Sequence, residues 1–438
     1  MVTFRPGRPG RLADVPSFDR GIGGAESNVA CGLAAAGHAV RWVSRVGADG
    51  FGDHLVEAIG AYGVDVSAVR RDPARPTGVY FRTAGDRSDD AHEVAYYRAG
   101  SAASAMSVHT VDLAAARAAR ILHVSGITAA LSEDCLGLLR ELTAPAPGRP
   151  LVSFDVNHRA GLWPDTDGPR VLLELARGAD IVFVGEDEAA QAWGLTGGPR
   201  AIRQALPEPG VLVVKEGARG ATVFERGSGE HGTVDGGTVD GGTVDGRTVE
   251  GGVVEGESGG LGSGGLGSGD ERTVGARQPL VRAARPHGTR SGTPHGTQPG
   301  AAPSRPAPGR RASGAAPVPG AGGTPPAPGP APAPGAEPAT TFVPALHVDV
   351  VAPVGAGDAF AAGFLSGTLR GLPVRDRVRH GHLMAAATLT APGDLAPPPA
   401  RHHADRLVAL DDDAWGRLRL GPGWTQAEQW AEEEVRTP

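Results

Sequence analysis

Lysine is nearly absent from this chain: Lys215 is the only one in 438 residues. Lysine-dependent chemistry must use it. A Walker A phosphate loop is excluded, because the pair Gly-Lys never occurs. Cysteine is scarce too. Cys31 and Cys135 are the only two, each among apolar neighbours, which argues against a disulfide framework or a thiolate metal site. Long apolar runs and a secretory leader are both missing, so a cytoplasmic protein without a membrane partner is expected. An excess of positive charge is missing as well. The formal net charge is −7, with both signs interspersed, and this disfavours nucleic acid as a partner.

Glycine and proline, in contrast, number 68 and 38, and most of the excess lies in 227–340. There Thr233-Val234-Asp235-Gly236-Gly237 repeats with drift through Gly252. Two Gly-Gly-Leu-Gly-Ser copies and a Pro/Ala/Gly tract follow. Such a stretch buries too little apolar area to offset its chain entropy, so a disordered surface insertion is expected. The Asp-Gly spacing fits neither an EF-hand nor a nonapeptide calcium repeat. The domain reading is therefore 1–226 and 341–438 as two parts of one unit, separated by 227–340.

Outside the insertion, short apolar runs alternate with helical patterns. Ile121–Val124, Val152–Asp155, Ile181–Val184 and Val211–Val214 read as buried parallel strands, and Val40–Val46 and Val348–Val351 as further strands. Asn28–Ala36, Phe51–Tyr62 and Asp358–Thr368 read as helices. The expected class is α/β, a doubly wound sheet flanked by helices. Thr77–Phe81 and Glu93–Tyr97 are β-rich around a polar turn at Gly85–Asp90, and read as a hairpin outside that sheet. With 11–24, the segment 76–99 is expected to form a small β-sheet lid.

The run Gly355-Ala356-Gly357-Asp358 carries the strongest chemical signal. A glycine-rich turn entering a helix leaves free N–H groups aligned with the positive end of its dipole, which makes an anion site. A carboxylate there can take a hydroxyl proton during phosphoryl transfer. Aspartate is also a common N-cap, so this run alone leaves both roles open. Lys215-Glu216-Gly217-Ala218-Arg219-Gly220 reads either as a glycine loop that backbone can bring near a nucleotide, or as a plain β-turn.

Gly355-Ala356-Gly357-Asp358-Ala359-Phe360, followed by Ala-Ala-Gly-Phe, resembles the C-terminal signature of the ribokinase-like (PfkB) sugar kinases. Gly23-Gly24-Ala25-Glu26-Ser27-Asn28, leading to Arg45–Gly52, resembles the N-terminal one. Within the family, Tyr96–Ala103, Asp155-Val156-Asn157-His158-Arg159 and Pro353-Val354 are most similar to the 2-keto-3-deoxygluconate kinases. The resemblance implies a catalytic turn of Gly355, Ala356, Gly357 and Asp358, with Asp358 as base. It implies substrate contacts at Gly24, Asn28, Tyr80, Tyr96, Arg98, Arg159, Asp358 and Asp394. It implies ATP contacts at Asn157, Arg159, Lys215, Gly217, Gly220, Gly355, Gly357 and His382. Magnesium arrives with ATP, and Glu188 reaches it indirectly. Arginines suit a sugar-acid carboxylate, which they can hold bidentately. Lid packing for the tyrosines and surface ion pairs for the arginines remain the plain alternatives. The scattered His123, His158 and His382 also read as structural.

Four departures from the family pattern stand out. The Gly-Glu segment of the first strand is missing, so either the start is placed late or the sheet lacks a central element. Ala352 replaces the aspartate that opens the C-terminal signature, so a monovalent cation is not expected. Gly185 stands for the asparagine of Asn-x-x-Glu, and His382 for an asparagine near adenine. The resemblance also suggests a homo-oligomer through the lid. Neutral sugars such as fructose or ribose are the alternative substrates, and a degenerate, non-catalytic sugar or nucleotide sensor is the alternative class.

Overall fold

A computed structural model describes residues 1–8, 10–83, 94–163, 167–226 and 338–426. Residues 227–337 of the expected insertion and the Gly85–Asp90 turn lie outside the described residues; the last residues expected in the insertion, Ala339 and Thr340, are already in a strand. The chain opens with strands β1 (Val2–Pro6) and β2 (Phe18–Ile22), helix α1 (Ala25–Ala35), strand β3 (Arg45–Gly47) and helix α2 (Gly50–Ala61). Strand β4 (Arg70–Asp72) and the pair β5 (Val79–Arg82) and β6 (Val94–Tyr97) follow. A four-stranded sheet has the order β2-β1-β5-β6. The two expected lid segments supply β2, β5 and β6; β1 lies between them as a fourth strand.

Side chains alternate across a strand. The register therefore puts Thr3, Tyr80, Arg82 and Tyr96 on one face of this sheet and Phe4, Phe81 and Tyr97 on the other. Phe4 stacks on Phe81 at 4.8 Å, while Phe18 and Tyr97 meet Phe81 edge-on.

The expected strand at Val40–Val46 is shorter. Only Arg45–Gly47 pairs, with β4, and Arg41 makes a single bridge to Asp65. Trp42 is buried beside Cys31, Ile59 and Val64. Before Arg45 the backbone of this run bonds to Asp65 and Arg70, too sparsely for a longer ladder.

The alternating part runs α3 (Leu113–Arg117), β7 (Ile121–Ser125), α4 (Gly126–Ala129), α5 (Glu133–Thr143), β8 (Leu151–Asp155), α6 (Gly168–Arg177), β9 (Ile181–Gly185), α7 (Glu186–Trp193), α8 (Gly198–Ala205), β10 (Val211–Lys215) and β11 (Gly220–Glu225). The C-terminal part adds β12 (Ala339–Pro344), β13 (His347–Val348), α9 (Ala356–Leu369), α10 (Val374–Leu389), α11 (Arg401–Val408), α12 (Asp412–Arg417) and β14 (Arg419–Leu420). The expected strand at Val348–Val351 is reduced to β13, which pairs with β14. Beyond it, Val351 N–H turns to Leu389 O.

The main sheet has the order β12-β11-β10-β9-β8-β7. Strands β7 to β10 are parallel; β11 and β12 are antiparallel. Alternation along the strands feeds two cores. Val182, Val184, Leu212 and Val214 join the side chains of α5, α6 and α8, and Ile181, Phe183 and Val213 join those of α9 and α10. Phe183 and Phe364, both fully buried, meet edge-to-face at 5.5 Å. Truncating either to alanine should cost about 3–5 kcal/mol.

Helix α9 packs unusually closely because its residues are small. A Cβ on Gly363 would lie 2.4 Å from His380 O on α10, and one on Gly32 of α1 2.9 Å from the Ala362 Cβ. Only a glycine permits such an approach. These contacts fix α9, and hence its N-terminal turn, against α1 and α10.

Candidate active site

In open α/β sheets, ligands collect beyond the carboxyl ends of the parallel strands. Asp155 ends β8, Gly185 ends β9 and Lys215 ends β10. Lys215 pairs in register with Gly185 and reaches past it to Asp155, with both carboxylate oxygens 3.2 Å from Nζ. Burial alone would depress the Lys215 ammonium. The carboxylates of Asp155, Glu188 and Asp358 outweigh that, and hold it charged above its ordinary range.

The N-terminal turn of α9 sits over this pair. Gly355 takes φ 81°, and a Cβ there would meet Asp394 O at 2.2 Å, so glycine is required twice over. The N–H groups of the first turn have no partner within the helix. A Cβ on Gly357 would be 3.7 Å from Lys215 Nζ. A cation and a helix N-terminus thus converge where an anion can bind.

Asp358 is in that first turn. Its side chain does not cap the helix; it accepts a 2.8 Å hydrogen bond from Asn28 Nδ2. Burial pushes its pKa up to about 7, Asp155 and Glu26 add to the rise, and Asn28 and Lys215 oppose it. A carboxyl near neutrality is suited to taking and returning a proton. Replacing Asn28 with alanine should move the acid limb of kcat/KM to higher pH by roughly one to two units, since a hydrogen bond to an ion is worth about 1.5–3 kcal/mol. A pH profile of the variant, unmoved from the parent's, would contradict this.

Among the buried oxygens that lack a hydrogen-bond donor in the described residues are Asn28 Oδ1 and Asn157 Oδ1. Asn157 is also the only described non-glycine residue with positive φ, at 41°. A left-handed backbone and an orphan oxygen together make Asn157 a candidate binding position. A ligand hydroxyl or a metal-bound water would supply the missing donors. Glu188 accepts from Gly185 N–H at 2.9 Å and lies 3.6 Å from Arg159 Nη1. Among the described residues no group of three or more His, Cys, Asp or Glu could hold a metal. The Asn157 Oδ1 acceptor would suit a water on magnesium carried by phosphate.

On the lid, Tyr80 O–H donates to Asp394 Oδ2, and Arg82 Nη2 lies 2.5 Å from Asp394 Oδ1. All three side chains are buried. Asp394, expected as a substrate contact, is occupied here in fastening the lid to the body. Tyr96 stacks on Tyr80 at 5.6 Å, and the Arg98 guanidinium lies 4.5 Å above the Tyr96 ring. Gly24 precedes α1 with φ 141°. Arg159 is half exposed and donates to His158 O.

Two expected nucleotide contacts have other partners. A Cβ on Gly220 would meet Val343 O at 2.2 Å, so the approach of β12 demands this glycine. His382 is buried against Phe360 and Trp415, with Nε2 3.2 Å from Val343 O, and burial lowers its pKa to about 4. Gly217, at φ 60°, faces open space.

Sequence reasoning missed Glu26, Arg82 and Asp155. Glu26 Oε1 accepts from Thr128 Oγ1 at 2.5 Å, and burial raises its pKa. Glu26 and Asp155 were inside runs already singled out. Arg82 follows Tyr80 by two residues, so strand alternation alone puts it on the same face.

This arrangement, an α/β sheet with an anion-binding helix turn, a buried carboxyl and a β-lid, is that of a phosphoryl-transfer enzyme. Residues 2–238 and 336–401 match the pfkB family of carbohydrate kinases. The 2-dehydro-3-deoxygluconokinases of Thermoproteus tenax and Bacillus subtilis are each 35% identical, over 231 and 237 residues; each match spans 52% of this chain and 70% and 71% of the relative. Plant fructokinases match at 29–32% identity, among them the fructokinase-2 of Zea mays over 43% of this chain and 57% of its own length. The PfkB protein from Polaromonas sp. JS666 superposes with a TM-score of 0.60 at 26% identity, over 92% of this chain and 96% of its own. A sugar kinase from Pyrococcus horikoshii solved in complex with ATP gives 0.58 at 18% identity, over 95% and 97%. The chain belongs to the pfkB family of carbohydrate kinases. No described helix is long and apolar enough to cross a membrane.

Proposed function

We propose that this kinase transfers the γ-phosphoryl group of ATP to the primary hydroxyl of 2-keto-3-deoxygluconate, with Asp358 as general base. One observation carries the reading: a buried carboxyl with a pKa of about 7, in the first turn of α9 and held by Asn28. Asp358 takes the hydroxyl proton as the oxygen–phosphorus bond forms and the bond to the ADP leaving group breaks. The N–H groups of the Gly355–Gly357 turn and Lys215 stabilise the charge on the transferring group. ATP supplies the phosphoryl group, with magnesium on its phosphates. Asn157, Arg159 and Gly217 lie on the side of the nucleotide.

Arg98 and Arg159 hold the acid. Burial first, and the Arg159 charge after it, hold Arg98 below its ordinary range, and an incoming carboxylate would offset both. Tyr80 and Tyr96 close over the sugar and exclude water, which limits futile ATP hydrolysis.

A coupled ADP-release assay on sugars and sugar acids tests the assignment. Saturation by 2-keto-3-deoxygluconate and not by fructose is expected. The fructokinase relatives favour a second reading, a neutral-sugar kinase; saturation by fructose or ribose but not by the acid would establish it. Ligand-induced melting shifts without any ADP release would instead mark a sensor.

A further inference from the structure

A cavity of about 170 Å³ lies away from Asp358, at the C-terminal ends of the helices that carry Asn28 and Asp358. Ala36 after α1, Ser366 and Arg370 on or after α9, His380 and Met384 on α10, and Arg401 on α11 line it. With liquid water taking about 30 Å³ per molecule, it has room for roughly five waters, or an oxyanion with a short carbon chain.

The lining is cationic. Arg370 donates to His380 Nε2 at 3.1 Å and to Asp405 Oδ1 at 2.8 Å. Arg401 donates to Ala36 O at 2.8 Å, and Arg120 to Leu369 O at the same end of α9. A guanidinium has five N–H donors, so Arg370 and Arg401 each have donors to spare. His38 Nε2 is 2.8 Å from Ser366 Oγ. Burial first, then the cations Arg401, Arg370 and Arg120, hold His38 below its ordinary pKa. Asp405 and Asp376 are the carboxylates that act on His380. Two guanidiniums, Arg370 and Arg401, thus line a partly polar space that opens at the exposed Ala35 and Arg401.

We propose that this cavity is a second binding site, separate from the catalytic one, for a phosphate-bearing anion gripped by Arg370 and Arg401. Free phosphate and a small phosphate monoester share the chemistry it reads: a doubly charged tetrahedral head that accepts bidentate guanidinium bonds. The inference does not depend on the sugar that the kinase uses.

Isothermal titration of the full chain with inorganic phosphate, and separately with glycerol 3-phosphate, tests it. A saturable component is expected that Arg401→Gln weakens at least about tenfold and that persists in the double variant Asp155→Asn/Lys215→Met, which lacks the cation of the catalytic site. Tighter binding of the monoester assigns the cavity to an esterified ligand, and equal or weaker binding to free phosphate. Arg370 is ion-paired and its loss can disturb folding, so the exposed Arg401 carries the test, with an unaltered Tm as its control. No saturable binding overturns the proposal. So does binding that the double variant abolishes and Arg401→Gln leaves intact, because the anion is then in the catalytic site.

Discussion

Asp358→Asn should lose about 10²- to 10⁴-fold in turnover, the usual worth of a positioned base, and melt at a higher temperature than the parent at pH 8. The first effect follows from replacing the only carboxyl in the first turn of α9. The second follows from linkage. The folded-state pKa is raised to about 7, so the folded protein binds this proton more tightly than the unfolded chain does. The associated stability is full at acid pH and is lost as pH rises from the ordinary carboxylate range through about 7. At pH 8 the parent buries an anion that asparagine does not. One pKa unit is worth about 1.36 kcal/mol, so the gain is at most about 4 kcal/mol. In a chain of this size that is several degrees at about 2–4 °C per kcal/mol. Melting curves at pH 5.5 and pH 8 separate the effects, because the gain should shrink at the lower pH. Turnover within tenfold of the parent would remove Asp358 as the base, and an equal gain at both pH values would show that its carboxyl is not desolvated.

Lys215→Met is expected to fail in both stability and activity. Asp155 would stay buried without its partner, and breaking a buried ion pair from one side costs about 3–5 kcal/mol. The cation beside the α9 turn would be lost with it. The double variant Asp155→Asn/Lys215→Met separates the two losses. Removing both charges should restore most of the stability, since an uncharged pair of similar volume is tolerated, but it returns no cation to the phosphoryl group. Denaturant unfolding and the ADP-release assay on the three variants give the readout. Recovery of turnover in the double variant would show that Lys215 serves only to neutralise Asp155. Because Lys215 is the only lysine, any amine-directed label that enters a side chain reports on this position alone.

Much of this was legible in the sequence because it is local. The runs at Val152–Asp155, Ile181–Val184 and Val211–Val214 are apolar throughout, as strands covered on both faces must be. The turn before Asp358 announces itself by glycine. Pairing was harder to see. Val40–Val46 reads as a strand by composition, yet its first half meets the loop residue Asp65 and only its end pairs with β4. Likewise β1 looks like an isolated run until β2 and β5 flank it. The site was legible as residues but not as contacts. Nothing local shows that Asp394 meets Tyr80 and Arg82, 314 and 312 positions away. Nor does the Lys-Glu-Gly run reveal that Lys215 turns toward Asp155, or that Gly220 answers to β12.

The bond from Asn28 to Asp358 spans 330 positions. A ribosome adding about 5–20 residues per second needs roughly 16–66 s to cover that distance. The lid strands β5 and β6 and Lys215 are made within that interval, and Asp358 closes it. About a third of that delay is spent translating 227–340, so the length of that segment lengthens the wait before the Asn28–Asp358 bond can form.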